Sequence, residues 1–89
     1  MQERRVTIVN KLGLHARAAS KFVNLAKRFA SKIEIINTAK TVDGKSIMSI
    51  MLLAASQGTE IGLRIEGEDE DDAMRAITDL IADRFGEGE

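Results

Sequence analysis

Apolar residues in this chain alternate between two spacings, and that switching limits the folds open to it. Residues 4–9, RRVTIV, are rich in β-branched types and predict a strand. NKLG then breaks the run, and from Ala16 to Ala30 the period becomes helical. Ala19, Phe22, Val23, Ala26, Phe29 and Ala30 share one stripe of that helix, and Arg17, Lys21, Asn24 and Arg28 lie opposite. SKIEIINT (31–38) reads as a second strand, and residues 40–43 as a short third strand closed by an Asp43–Gly44 turn. SIMSIMLLAAS (46–56) is an apolar helical segment with Ser46 placed as its N-cap. In EIGLRIEG (60–67), Ile61, Leu63 and Ile65 face one way and Gly62, Arg64 and Glu66 the other. The last helix is predicted from about Asp69 to Phe85, with Ala73, Met74, Ile77, Leu80, Ile81 and Phe85 inward. The order β-α-β-β-α-β-α suits an α+β layer fold, one antiparallel sheet with helices on one face.

Eighty-nine residues predict one domain, 1–89. Stability for that length is on the order of 5–9 kcal/mol. There is no cysteine and no proline, and the aromatics are three phenylalanines. The core must therefore be mostly aliphatic, and base stacking on exposed rings is not expected. The formal charge of −1 argues against a nucleic-acid partner. No apolar run approaches a membrane span, and MQERRVTIV is not a signal peptide. The expectation is a cytoplasmic chain with no membrane or nucleic-acid partner. Asp69, Glu70, Asp71 and Asp72 crowd one helix start, where negative charge suits the dipole. Their expected role is structural, with Asp69 as an ordinary cap and no metal bound. The closing GEGE is expected to fray.

DGKS at 43–46 resembles the end of a phosphate-binding Walker loop, but the first glycine of that motif would be residue 39, which is Ala39. His15 is the more informative residue. It is the sole histidine, and it lies in a glycine-containing loop at a helix start with no Ser, Thr, Asp or Asn before the helix as a cap. Bare N–H groups at a helix start attract anions. Arg17 adds a positive charge and five donors. Imidazole is a nucleophile whose pKa lies near neutrality. These parts can hold a phosphoryl group on a histidine. No second histidine, cysteine or carboxylate pair stands nearby in sequence, so nothing supplies a general base. The expectation is a carrier that borrows catalysis from its partners. Such a carrier needs an exposed patch. Ile47, Met48 and Met51 exceed what one stripe of their helix can bury, and methionine suits adaptable surfaces. Burial of that helix on most sides is the alternative. The basic side of the first helix is either a plain solvated face or part of the same patch.

NKLGLHARAASKFV (10–23), DGKSIMSIMLLAASQGTEI (43–61) and IEGEDEDDA (65–73) together carry a family resemblance. The chain resembles the HPr family, histidine-containing phosphocarriers of the bacterial phosphoenolpyruvate-dependent phosphotransferase system. That resemblance implies an open-faced β-sandwich of four antiparallel strands with three helices on one side. It implies that His15 is phosphorylated on Nδ1 by enzyme I and passes the group to IIA-type proteins, with Arg17 as the partner of the phosphate. It implies a monomer without cofactor. Partner binding is expected at Ala16, Ser20, Lys21, Asn24, Lys27, Ile47, Met48, Met51 and Leu52. Ser46 matches a second family site, phosphorylated in many relatives by an ATP-dependent HPr kinase/phosphorylase. A chiefly regulatory binding module controlled through Ser46 is the competing expectation. Many relatives carry proline where this chain has Ala18, which loosens the first turn slightly.

Overall fold

The computed structural model describes residues 1–38 and 40–88. Strand β1 spans Gln2–Thr7, helix α1 Ala16–Ala26, strand β2 Lys32–Asn37, strand β3 Lys40–Asp43, helix α2 Ile47–Leu52, strand β4 Glu60–Glu66 and helix α3 Glu70–Ala82. A short 3-10 turn, Arg84–Gly86, follows α3. The strands lie in the order β1-β4-β2-β3, and each neighbouring pair is antiparallel. The expected element order and open-faced sheet with three helices are thus observed.

Alternation decides which side of the sheet faces the helices. Ile33 and Ile35 of β2 and Ile61, Leu63 and Ile65 of β4 are buried. They meet Ala18, Ala19, Phe22, Val23 and Ala26 of α1, Ile50 of α2, and Ala73, Met74, Ile77 and Ile81 of α3 in one core. Each large aliphatic side chain buried there contributes about 1.5–3 kcal/mol. The other face is polar: the Arg64 guanidinium lies 3.5 Å from Glu3 and 3.7 Å from Glu34. Exposed pairs of this kind add at most about 1 kcal/mol each.

Element ends differ from the sequence expectations, and each difference has a cause. β1 starts at Gln2 rather than Arg4 because β4 offers it a ladder from Ile65 to Glu60. Pairing overrides the weak strand propensity of Gln-Glu-Arg-Arg. α1 stops at Ala26, not Ala30. Its last turn tightens through Arg28 N–H to Leu25 O at 3.0 Å and Phe29 N–H to Ala26 O at 3.1 Å. Beyond it the Asp69 carboxylate accepts the N–H groups of Ala30 (2.8 Å) and Ser31 (3.0 Å) and the Ser31 hydroxyl. Those bonds hold the chain out of helical geometry, so Ala30 is exposed and Phe29 only half-buried.

Asp69 therefore does not cap its own helix through its side chain, contrary to expectation. The Ser31 hydroxyl, then the Ala30 N–H, hold its carboxyl below the usual carboxylate range. Glu70 takes the capping-type bond instead, accepting the Gly67 N–H at 3.2 Å while pairing with the Met1 amine at 2.9 Å. The structural role expected for the acidic run thus has contacts behind it at Asp69 and Glu70, and Asp71 adds one to Gln2.

α2 ends at Leu52 rather than running on to Ser56. Ala54 takes a left-handed φ of 51°, and the Ala55 carbonyl turns away to accept the Leu14 N–H at 2.9 Å. That bond ties the end of α2 to the loop carrying His15. Phe85 is buried as expected, but not on α3: the helix ends at Ala82 and Phe85 sits in the 3-10 turn with φ 54°.

Candidate functional site

The loop that carries His15 is fixed from both sides. Gly13 adopts φ +68°, and a Cβ there would lie 2.5 Å from the Ala55 carbonyl oxygen, so only glycine fits. Asn10 is fully buried and donates from Nδ2 to the Gly13 carbonyl at 2.8 Å. Leu14 is buried beside it. His15 then emerges in the N-cap position with extended backbone, φ −74° and ψ 178°, and its carbonyl accepts the Ala19 N–H at 2.8 Å.

The His15 side chain makes no capping bond, as the sequence predicts. The N–H groups of the first turn of α1, which have no intrahelical acceptor in any helix, thus receive no side-chain cap from His15 either, and helix starts of this kind attract anions. The imidazole is 27% exposed. Its Nε2 contacts Glu87 Oε2, whereas Nδ1 makes no hydrogen bond among the described residues. Arg17 is exposed on the first turn and forms no ion pair among them.

Glu87 is the residue that sequence reasoning missed. The closing GEGE is not frayed at this position: Glu87 is half-buried, its Oε1 accepts Asn10 Nδ2 at 3.0 Å and its Oε2 meets His15. Glu89 lies outside the described residues. Burial pushes the Glu87 carboxyl up, but hydrogen bonds from Asn10 and His15 and the charges of His15 and Arg17 outweigh it. Its pKa accordingly lies below the ordinary value. No local signal in the sequence marks this glutamate, because its partners stand far back in the chain. A carboxylate thus reaches the histidine after all.

Among the other expected residues, Ala16, Asn24 and Lys27 are exposed on or just beyond α1, and Ser20 is half-buried. Lys21 is not free on that surface, because its Nζ donates to the Phe85 carbonyl at 2.5 Å and ties α1 to the C-terminal turn. On α2, Met48 is 71% exposed and Leu52 69%, with Ile47 and Met51 also open. This decides between the two readings of that helix: only Ile50 of α2 is buried. Leu12, 67% exposed in the His15 loop, adds an apolar residue that the sequence reading left out. Ser46 caps α2, its Oγ accepting the Ser49 N–H at 3.3 Å, and is itself partly exposed. Among the described residues no cluster of three or more His, Cys, Asp or Glu could hold a metal. Among the described residues no helix is long and apolar enough to cross a membrane.

The family described as "PTS HPr component phosphorylation site" matches residues 2–83. The phosphocarrier protein HPr of Pseudomonas aeruginosa is 54% identical over 85 residues, covering 94% of each chain. Among solved structures, HPr-C-His from Thermoanaerobacter tengcongensis superposes with a TM-score of 0.94 at 48% identity, covering 98% of each chain. A second structure from that organism, an HPr dimer, gives a TM-score of 0.79 at 48% identity and covers 98% of this chain and all of that one.

Proposed function

Because the chain belongs to the HPr family, phosphocarriers of the phosphotransferase system, we propose that its phosphoryl group travels on Nδ1 of His15. Its relatives are named as carriers, and the chain is likewise a carrier rather than an enzyme. The observation that carries the assignment to His15 is an Nδ1 with no hydrogen-bond partner among the described residues, at a helix start without a side-chain cap. Enzyme I, charged from phosphoenolpyruvate, is the proposed donor, and a IIA-type protein the proposed acceptor. The first N–H groups of α1 and the Arg17 guanidinium would take the phosphate oxygens, where fixed donors are worth more than mobile water. Docking would use the α1 face at Ala16, Ser20, Asn24 and Lys27 together with Ile47, Met48, Met51 and Leu52. These partners imply a cytoplasmic setting.

Incubation with phosphoenolpyruvate and catalytic enzyme I should add one acid-labile phosphate per chain. His15→Ala should take none. Label persisting on that variant would overturn the assignment.

Ser46 is proposed as a regulatory site for an ATP-dependent kinase. The supporting observation is its partly exposed hydroxyl at an N-cap, beside the apolar residues of α2. A phosphate there adds roughly −1.5 to −2 charges at the rim of the docking face. Stoichiometric phosphorylation of Ser46 should slow labelling of His15 by enzyme I about tenfold or more, by like-charge repulsion. Unchanged labelling kinetics would count against regulation at this site.

A further inference from the structure

We propose that Glu87 is a positioning residue that chooses the reactive nitrogen: its carboxylate keeps the ring proton of His15 on Nε2 and leaves the Nδ1 lone pair for phosphorus. This rests on the phosphocarrier reading above and adds a residue to it. Both amide hydrogens of the buried Asn10 are in use, one on the Gly13 carbonyl at 2.8 Å and one on Glu87 Oε1 at 3.0 Å. The amide cannot be flipped, because Oδ1 would then face a carbonyl and a carboxylate. Held this way, Oδ1 is buried without a hydrogen-bond partner among the described residues. An orphaned acceptor of that kind is ordinarily disfavoured in a folded chain. The fold keeps it, and Nδ2 stays aimed at Glu87.

The second oxygen of Glu87 meets His15 Nε2. An ionised carboxylate only accepts, so Nε2 must be the donor, and in a neutral ring Nδ1 then carries the lone pair. The tail is anchored for this contact, since Phe85 is fully buried and its carbonyl takes Lys21 Nζ at 2.5 Å.

The chemistry balances without a general base. Attack forms the Nδ1–P bond and breaks the bond from phosphorus to the donor's leaving atom, which departs with the electron pair. The Nε2 proton does not move. The phosphorylated ring is an imidazolium whose positive charge faces Glu87. In onward transfer the acceptor's lone pair takes phosphorus, the bonding pair returns to Nδ1, and the proton is still on Nε2. The absence of a base in the local sequence is thus no obstacle.

Glu87→Gln gives the sharpest test. Glutamine offers one acceptor and one donor. With its carbonyl on Asn10, its NH₂ faces Nε2 and draws the ring proton to Nδ1. Nitrogen NMR of the isotope-labelled imidazole in the full chain, well above the ordinary histidine pKa, reads the tautomer directly. The proton should be on Nε2 in wild type and largely on Nδ1 in Glu87→Gln. Phosphoryl uptake from charged enzyme I should fall about 100-fold or more in Glu87→Gln, since an amide behind a catalytic histidine holds the wrong tautomer. Glu87→Ala should lose only about tenfold, as orientation is lost but no tautomer is imposed. Glu87→Asp should recover part of that loss. Glutamine milder than alanine, or the same tautomer in wild type and Glu87→Gln, overturns the proposal. Wild-type protein that took no label would overturn the phosphocarrier reading instead.

Discussion

Phe85→Ala should destabilise the protein by about 3–5 kcal/mol, measured as a shift of the urea unfolding midpoint at constant slope. The ring is fully buried in the common core. Its backbone is in the left-handed region, φ 54°, immediately after Arg84 at φ 56°. Such a conformation costs a bulky residue about 1–2 kcal/mol. It persists because burial of the ring outweighs that cost. Phe85→Gly separates the two effects, since glycine removes the ring and the strain together. It should be more stable than Phe85→Ala by about 1 kcal/mol, the reverse of the order in an ordinary helix. The ring also holds the tail: with it gone, residues 86–88 lose their anchor and Glu87 its fixed distance from His15. The histidine tautomer should therefore lose its bias in Phe85→Ala, although the substitution touches no atom of the imidazole. A loss below about 1 kcal/mol would mean that the turn is not seated by this ring.

What was legible in the sequence is what local chemistry controls. His15, Arg17 and the uncapped start of α1 lie within a few residues of one another, and Ser46 caps the helix that follows it. Strand alternation placed Ile61, Leu63 and Ile65 correctly, because one buried face imposes a period of two. The misses share a different cause. Glu87 reaches His15 across 72 residues, and Asp69 reaches Ser31 across 38. Each carboxylate had a cheaper local explanation, a frayed end in one case and a helix cap in the other. Neither periodicity nor capping preference reports a partner brought in by the fold. The same tertiary contacts moved the ends of α1 and α2, where the Asp69 carboxylate and the Leu14 N–H claimed backbone groups that a longer helix would have used.

Gly67→Ala should cost about 3–5 kcal/mol, a large share of the total expected for a chain of this size. Two terms add. Gly67 has φ +154°, which an L side chain rarely adopts. A Cβ there would also stand 2.7 Å from Ser31 Cα and 2.8 Å from Ser31 Cβ. Ser31 cannot retreat, because it is buried and the Asp69 carboxylate holds both its N–H and its hydroxyl. Gly58 supplies the control: its φ is +90°, yet nothing lies within 4 Å of a Cβ. Gly58→Ala should therefore show the backbone term alone, about 1 kcal/mol, and the difference between the two variants measures the clash. Asp69 supplies the mechanism. Its carboxyl titrates below the usual range when folded, so its contribution is present above the unfolded pKa and is lost as pH falls through the folded one. Asp69→Asn weakens the grip on Ser31 at neutral pH. In the double variant Ser31 can give way, and the combined loss should be smaller than the sum of the two single losses. Strict additivity would show that the collision is absorbed at Gly67 itself and not transmitted to the Ser31–Asp69 contact.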